Sequence, residues 1–331
     1  MIRTVLNVLF KKPILAVYDV TKLCNQRCMM CNIWKTKSDD MGLEQLEKEI
    51  IQLHRFGVGY VFIQGGEPLI RKDIIEVIDL FLKHHIKPTV ITNGILLTYD
   101  LAKEIAKRRC NLAISIDSMD PELFAKLRGA DKLPEVIANI EKISDIERKG
   151  NWSITTTITG LTKFDDVKKI EEFAAKHGFM FAIRPYIFVR GVAGEKNDEL
   201  MYQWEDVSDI FLYMSTKAKK NNFLAYLVYQ EHIKYIKGEG MPICDAARYS
   251  FLMTETGAKS PCIEFTNHNF NLETFRRDRK AFCDGIRECN RTTPCFYNDA
   301  REIGVLWRKK WIVLFNFPKI IRQLMKYGNF F

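Results

Sequence analysis

Between residue 14 and about residue 215 the chain alternates short apolar runs with longer amphipathic stretches. The runs at 14–20, 60–64, 88–92, 112–117, 153–159 and 179–185 read as strands. The stretches at 43–56, 72–84, 99–108, 121–127, 133–149 and 165–177 read as helices between them. Strands alternating with helical stretches in this way predict βα units around a parallel sheet. Six such units are too few to close an eight-stranded barrel. Gly191-Val-Ala-Gly194 reads as a loop leaving this unit, and 196–238 as helical with many aromatics. A cysteine-rich region starts near Gly240. There is no internal repeat or low-complexity segment.

A chain of 331 residues, 47% hydrophobic, can bury one large α/β core and a smaller one. Nine cysteines in a chain this long, with no signal peptide expected, read as metal ligands and reduced thiols, which implies a reducing cytoplasm. The net charge is +9. Arg3, Lys11 and Lys12 in residues 1–13, with Arg308, Lys309, Lys310, Lys319, Arg322 and Lys326 in 303–331, equal that whole excess, and neither segment holds an acid. The body between is charge-balanced, so no basic groove for nucleic acid is expected.

Both ends are also amphipathic. Ile2, Val5, Leu6 and Leu9 share one helical face, and so do Ile320, Ile321, Leu324 and Met325. Trp307 and Trp311 flank Arg308-Lys309-Lys310. Basic and apolar faces with tryptophan are the pattern of helices lying in a membrane interface, here at the inner face of the membrane. The plain alternative is that both ends pack on the barrel. The longest apolar run there, 311–315, is far below the roughly 20 residues that span a bilayer.

The most specific chemistry is Cys24, Cys28 and Cys31, spaced C-x3-C-x2-C on one short loop. Structural zinc wants four protein ligands, and the nearest histidine, His54, is well past this loop. A cubane iron–sulfur cluster with one open iron fits three soft thiolates better. Gly65-Gly66-Glu67-Pro68 follows the apolar stretch at 60–63. These two motifs, in this order and at this separation, resemble the signature of the radical S-adenosylmethionine (radical SAM) superfamily. The position before the third cysteine, often aromatic in that family, is Met30, which still offers a large apolar side chain.

The resemblance implies an α/β fold with a partial, open (β/α)6 TIM-like barrel. Active sites of such barrels gather where strands end, and the Cys24 loop, Gly65–Pro68, Asn93-Gly94 and Asp117 all fall at predicted strand ends. It further implies that Cys24, Cys28 and Cys31 bind three irons of a [4Fe–4S] cluster whose fourth iron chelates S-adenosylmethionine. One electron, from a reduced flavodoxin or ferredoxin-type donor, would then release a 5′-deoxyadenosyl radical that abstracts hydrogen from a C–H bond. Gly65 and Gly66 would admit the methionine end, Glu67 would accept from its ammonium group, and Pro68 would stiffen the turn. Thr92, Asn93, Ser115 and Asp117 would meet the sugar or methionine part. Arg128 would pair with the methionine carboxylate, unless it is a surface residue capping a helix. Thr157 and Thr159 either face the pocket or are simply good strand formers, and Arg184 and Tyr186 are expected on the substrate side.

Cys244, Cys262, Cys283, Cys289 and Cys295 form a second group. With Gly257, the first two read C-x12-G-x4-C, which resembles the opening of SPASM and twitch domains. Five cysteines cannot hold two fully ligated cubanes. The expectation is a small twitch-like C-terminal domain with one auxiliary cluster on Cys244, Cys262, Cys289 and Cys295, Cys283 being a rival for either of the last two. A four-cysteine zinc site is the alternative. Cys110 reads as a small buried hydrophobe.

The expected organisation is an amphipathic segment over 1–13, a barrel over 14–215, a helical connector over 216–240, the auxiliary domain over 241–300 and a basic tail over 301–331. The expected function is a radical SAM oxidoreductase or transferase acting on a peptide or protein, or on a membrane lipid. The rival class is a non-catalytic iron–sulfur or zinc protein serving as sensor or scaffold.

Overall fold

Seven parallel strands and one antiparallel strand make a single sheet in the order β6-β5-β4-β3-β2-β1-β7-β8. This computed structural model describes residues 13–189, 196–240, 243–265, 269–275 and 298–327. The strands are β1 (Leu15–Thr21), β2 (Tyr60–Gly65), β3 (Lys87–Thr92), β4 (Asn111–Ser115), β5 (Trp152–Ile158), β6 (Met180–Pro185), β7 (Ser250–Met253) and β8 (Lys259–Ser260). Six helices fill the five connections between β1 and β6, two of them between β4 and β5: α1 (Leu43–Phe56), α2 (Ile74–Lys83), α3 (Tyr99–Lys107), α4 (Pro121–Arg128), α5 (Leu133–Ile143) and α6 (Phe164–Lys176). All six expected strands and all six expected helices are present. The fifth helix stops at Ile143, short of the expected 149.

Strand alternation divides the sheet into two faces. Ala16, Tyr18 and Val20 of β1, with Val61, Ile63, Val90, Leu112, Ile114 and Ile154, join the main core under the helices. Helix α1 supplies Leu46, Ile50 and Leu53 to it at helical spacing and ends at Gly57, whose φ is +104°. The other face of β1 carries Val17, which packs with Leu252, Val189, Ile263, Phe62 and Ile187 on the concave side. Alternation therefore puts Asp19 of β1 on the concave face, with its register partner Gln64 beside it.

Two boundaries differ from the sequence reading. The expected barrel limit at 215 falls inside α7 (Trp204–Asn221), which runs uninterrupted and packs against α8 (Phe223–Ile236). No glycine or proline breaks 204–221, so the helix continues. The region expected to be a separate domain also adds β7 and β8 to the barrel sheet, β7 pairing with β1 from Leu15↔Ser250 to Tyr18↔Met253. A four-residue strand is too short to show a period in sequence.

The tail forms α9 (Asn298–Arg308), α10 (Lys310–Phe315) and α11 (Phe317–Tyr327). Part of its expected apolar stripe docks on the body: Ile320 is buried against Phe223 and Leu227 of α8. No described helix is long and apolar enough to cross a membrane.

Candidate active site

The Cys24–Cys31 loop leaves β1 at Thr21 and is gripped at both ends by glycine. Gly66 N–H donates to Thr21 O at 2.8 Å and Glu67 N–H to Leu23 O at 2.8 Å. A Cβ on Gly66 would lie 2.1 Å from Leu23 O, and one on Gly65, at φ +124°, 2.2 Å from Thr21 O. At the far end Met29 N–H donates to Leu127 O at 3.0 Å. Gly129, which caps α4, approaches Arg27 so closely that a Cβ would sit 2.2 Å from Arg27 O. Backbone contact this tight is open only to glycine. Between the grips, Asn93 Nδ2 donates to Asn25 Oδ1 at 2.7 Å and Trp34 Nε1 to Cys31 O at 2.9 Å.

The three cysteines are free thiols, each partly exposed. Burial pushes all three above the ordinary thiol range, Cys31 to about 11. For Cys28 the opposing influence is the Arg128 guanidinium beside it. Among the described residues no three His, Cys, Asp or Glu side chains converge as a single ion requires. A cubane makes a different demand, because each thiolate takes its own iron. The surroundings suit such a group: Gln26 Nε2 and Arg128 Nε are buried and find no hydrogen-bond partner among the described residues. Both are N–H donors left for sulfide or carboxylate acceptors. Met29 and Met30 pack with Leu127, Tyr186 and Leu200, so one side of the loop is apolar.

Glu67 is buried, and three groups hold its carboxylate. Leu69 N–H and Thr92 Oγ1 donate to Oε1 at 3.0 and 2.7 Å, and Asn93 N–H donates to Oε2 at 2.7 Å. Burial raises its pKa and these donors oppose the rise. Glu67 therefore ties the end of β2 to the end of β3, with fewer lone pairs left for an ammonium ligand than the sequence reading assumed. Pro68 is buried in the single turn that follows. Thr92 also accepts from Gly94 N–H at 3.0 Å, so its hydroxyl is engaged in both directions.

Asp117 and Arg128 come together as a buried ion pair, Oδ2 to Nη2 2.6 Å. Asp117 Oδ1 accepts from Thr157 N–H at 2.8 Å. Arg128 is thus neither exposed nor a plain cap. It lies under the cysteine loop between Asp117 and Cys28. Ser115 sits half-buried at the end of β4. Arg184 pairs with Glu302 of α9, whose carboxylate also accepts from His232 Nε2 at 2.9 Å. Tyr186 is buried in the apolar group beside the loop.

Asp19 and Arg71 were missed in sequence. Arg71 donates to Val20 O at 3.2 Å and Met41 O at 3.1 Å while pairing with Asp73 at 2.7 Å, so it pins the base of the loop on both sides. Asp19 is buried on the concave face and accepts from Gln64 Nε2 at 3.2 Å. Burial, helped by nearby Glu255, lifts its pKa to about 6 against the pull of Gln64 and Lys22. A lone acid in the otherwise apolar run Leu-Ala-Val-Tyr-Asp-Val-Thr was the available signal.

In the second group, Gly257 forms the β7–β8 turn at φ +87°, its N–H donating to Thr254 O at 2.9 Å. Cys262 is buried in the main core and Cys244 packs partly against it. Cys283, Cys289 and Cys295 lie outside the described residues. Cys110 is fully buried, its thiol raised to about 12 by burial, as a small hydrophobe should be.

An open, mostly parallel α/β barrel carries three thiols on the loop after its first strand, a donor set suited to soft metals. Residues 18–174, a little under half of the chain, match the model of the radical SAM superfamily. Members of that superfamily bind a [4Fe–4S] cluster and S-adenosylmethionine, and its members and named relatives are enzymes. Mycofactocin maturase MftC of Mycolicibacterium smegmatis is 29% identical over 167 residues, 49% of this chain and 41% of that protein. A probable GTP 3′,8-cyclase of Methanocaldococcus jannaschii is 27% identical over 298 residues, 84% of this chain and 94% of that one. The chain spans about two fifths of the length of the maturases it matches. Streptococcus suis SuiB bound to its precursor peptide SuiA shares the fold, with TM-score 0.63 at 17% identity over 82% of this chain and 67% of that one.

Gly66→Ala should displace the cysteine loop, at about 1–3 kcal/mol for the overpacking alone. The expected outcome is a folded protein by circular dichroism that takes up about four fewer irons than the parent, one cubane's worth. Equal iron in both would show that the grip is dispensable.

Asp19→Asn should stabilise the protein at neutral pH. The folded carboxyl holds its proton up to about 6, whereas an unfolded one releases it near 4. The folded state thus binds more protons in that window, and stability falls as pH rises through it. The penalty at pH 7.5 is at most about 3 kcal/mol. Thermal melts should show Asp19→Asn above the parent at pH 7.5 and level with it at pH 4. A lower midpoint at both pH values would contradict this reading.

Proposed function

We propose that this chain is a radical SAM enzyme that reductively cleaves S-adenosylmethionine and functionalises a C–H bond of its substrate. The observation that carries this is the gripped loop: three free thiols held in place beside two buried, unpartnered N–H donors, at the strand ends of an open barrel. Loaded with a [4Fe–4S] cluster and S-adenosylmethionine, such a site supplies a 5′-deoxyadenosyl radical. The chain's own residues have defined tasks. Cys24, Cys28 and Cys31 give up their protons and ligate. Gln26 and Arg128 offer donors to the loaded site. Glu67, Thr92, Asn93, Asp117 and Ser115 keep the strand ends in register around it, and Gly65, Gly66 and Pro68 set the loop's distance. Met29, Met30, Leu127 and Tyr186 exclude water from one side.

We assign a polar substrate, a peptide or protein segment, in preference to a lipid. The concave face near the site carries Asp19, Gln64, Ser115, Thr155 and Arg184, a polar lining that suits a substrate with hydrogen-bonding groups better than an alkyl chain. SuiB, which shares the fold, was solved with a precursor peptide. The electron comes from a reduced flavodoxin or ferredoxin-type donor in a reducing cytoplasm. Cys244 and Cys262, with two of Cys283, Cys289 and Cys295, hold an auxiliary cluster.

The test is anaerobic reconstitution of the parent and of a variant with Cys24, Cys28 and Cys31 all changed to Ala. About eight irons in the parent and about four in the variant are expected, at four per cubane. 5′-Deoxyadenosine after dithionite and S-adenosylmethionine should form only in the parent. About four irons in the parent would remove the auxiliary cluster, and cofactor cleavage in the variant would overturn the site.

A further inference from the structure

The tail leaves an apolar face uncovered. Trp311, Ile312, Leu314, Phe315 and Phe317 are 65%, 45%, 56%, 86% and 53% exposed. Only Val313 of this stretch turns inward, against the group formed by Phe223, Leu227 and Ile320. Five large apolar side chains exposed within seven consecutive positions are far more than the scattered single residues normal for a surface.

Basic residues flank the face. Lys310 is exposed and stacks on Trp307 and Trp311, 5.1 and 5.7 Å from the ring centroids. Arg322 is exposed on α11. Lys319 Nζ donates to Lys219 O at 3.0 Å and Gln323 Nε2 to Lys220 O at 2.7 Å. These bonds bring exposed Lys219 and Lys220 to the same rim. Residues 303–331 contain no Asp or Glu.

Both ends of this stretch are anchored where the barrel strands begin. Arg308 pairs with Asp245 and donates to Ile243 O at 3.2 Å. Asp245 O in turn accepts from Tyr249 N–H, and Tyr249 O accepts from Ile14 and Leu15, immediately before β1 and β7 start. At the other end Gln323 Oε1 accepts from Phe223 N–H at 2.9 Å. Ile320 and Gln323 line a cavity with Gly178 and Met180 at the start of β6. The cysteine loop, Asn93 and Asp117 lie past the opposite ends of the strands. Residues 1–12, with their own basic and apolar positions, join the described chain just before β1, at the end that α10 occupies.

We propose that α10 and its basic rim are a docking face for an anionic lipid bilayer, which holds the protein with its strand-start end against the membrane and its active-site mouth toward water. The α10 side chains would enter the headgroup boundary and the basic residues would meet the negative surface, the two contributions that peripheral helices combine. A second copy of the chain fits less well, since symmetric pairing would set one acid-free basic flank against another. The occupant is therefore a bilayer. The tether is independent of the radical chemistry, and the outward mouth suits a substrate that arrives from water. The α11 stripe, by contrast, has Ile320 docked on α8, so the interfacial element is α10.

The experiment is co-sedimentation of the full chain with vesicles of phosphatidylglycerol and phosphatidylcholine, against vesicles of phosphatidylcholine alone. The parent should sediment with the anionic vesicles and be released as salt rises. Phe315→Glu, and separately Lys310→Glu with Arg322→Glu, should each lower the bound-to-free ratio by about tenfold or more. All three positions are exposed, and unchanged iron content and circular dichroism would show that the variants remain folded. No binding by the parent, or equal binding by parent and variants, would overturn the proposal. So would a dimer in sedimentation velocity that Phe315→Glu dissolves, because a second copy would then cover the face.

Discussion

Two stretches of backbone meet here with no side chain between them, and the rest of the site depends on that contact. Thr21 to Leu23, leaving the first strand, touches Gly65 and Gly66, leaving the second. A third glycine, Gly129, receives the other end of the loop at Arg27. The three thiols between these points are fixed by backbone geometry more than by their own side-chain contacts. Glu67 extends the constraint, since its buried carboxylate carries the position of β2 to Thr92 and Asn93 at the end of β3. Asn93 then returns to the loop through Asn25. The circuit is closed, so a shift at any member is felt at the cysteines.

Charge is placed under the same constraint. Asp117 and Arg128 face each other beneath the loop with almost no exposure. Losing either partner of such a pair costs about 3–5 kcal/mol, because the other stays buried and charged. This links the end of β4 to the helix that grips Met29, and it places a guanidinium against Cys28, where it opposes the effect of burial on the thiol. Asp19 is the opposite case, a carboxyl in a poor environment with Gln64 as its hydrogen-bond partner. Acids held so at the ends of barrel strands are characteristic of sites that handle protons or polar ligands.

Much of this was legible in the chain. The alternation of apolar and amphipathic stretches located all six barrel strands and their helices, because each buries one regular face. The cysteine and glycine motifs marked the loop and its grip, because few residue types satisfy those demands. What stayed hidden depends on long-range pairing. Nothing local tells that Arg128 turns inward to Asp117, or that Glu67 spends its oxygens on the protein. Strand β7 shows only four residues of pattern, and its place beside β1 is set by partners more than two hundred residues away. The tail's amphipathic stripe was visible, but which face it would bury was decided by Phe223 and Leu227 on another helix.

The central claim is that the gripped loop holds a cluster with one iron open to S-adenosylmethionine. Electron paramagnetic resonance of the reduced, cluster-loaded protein tests it most directly, recorded with and without S-adenosylmethionine. The account predicts a signal whose g values shift when the cofactor is added, and no such shift once Cys24, Cys28 and Cys31 are removed. A loaded parent whose spectrum ignores the cofactor would contradict it, because the fourth iron would then already be closed.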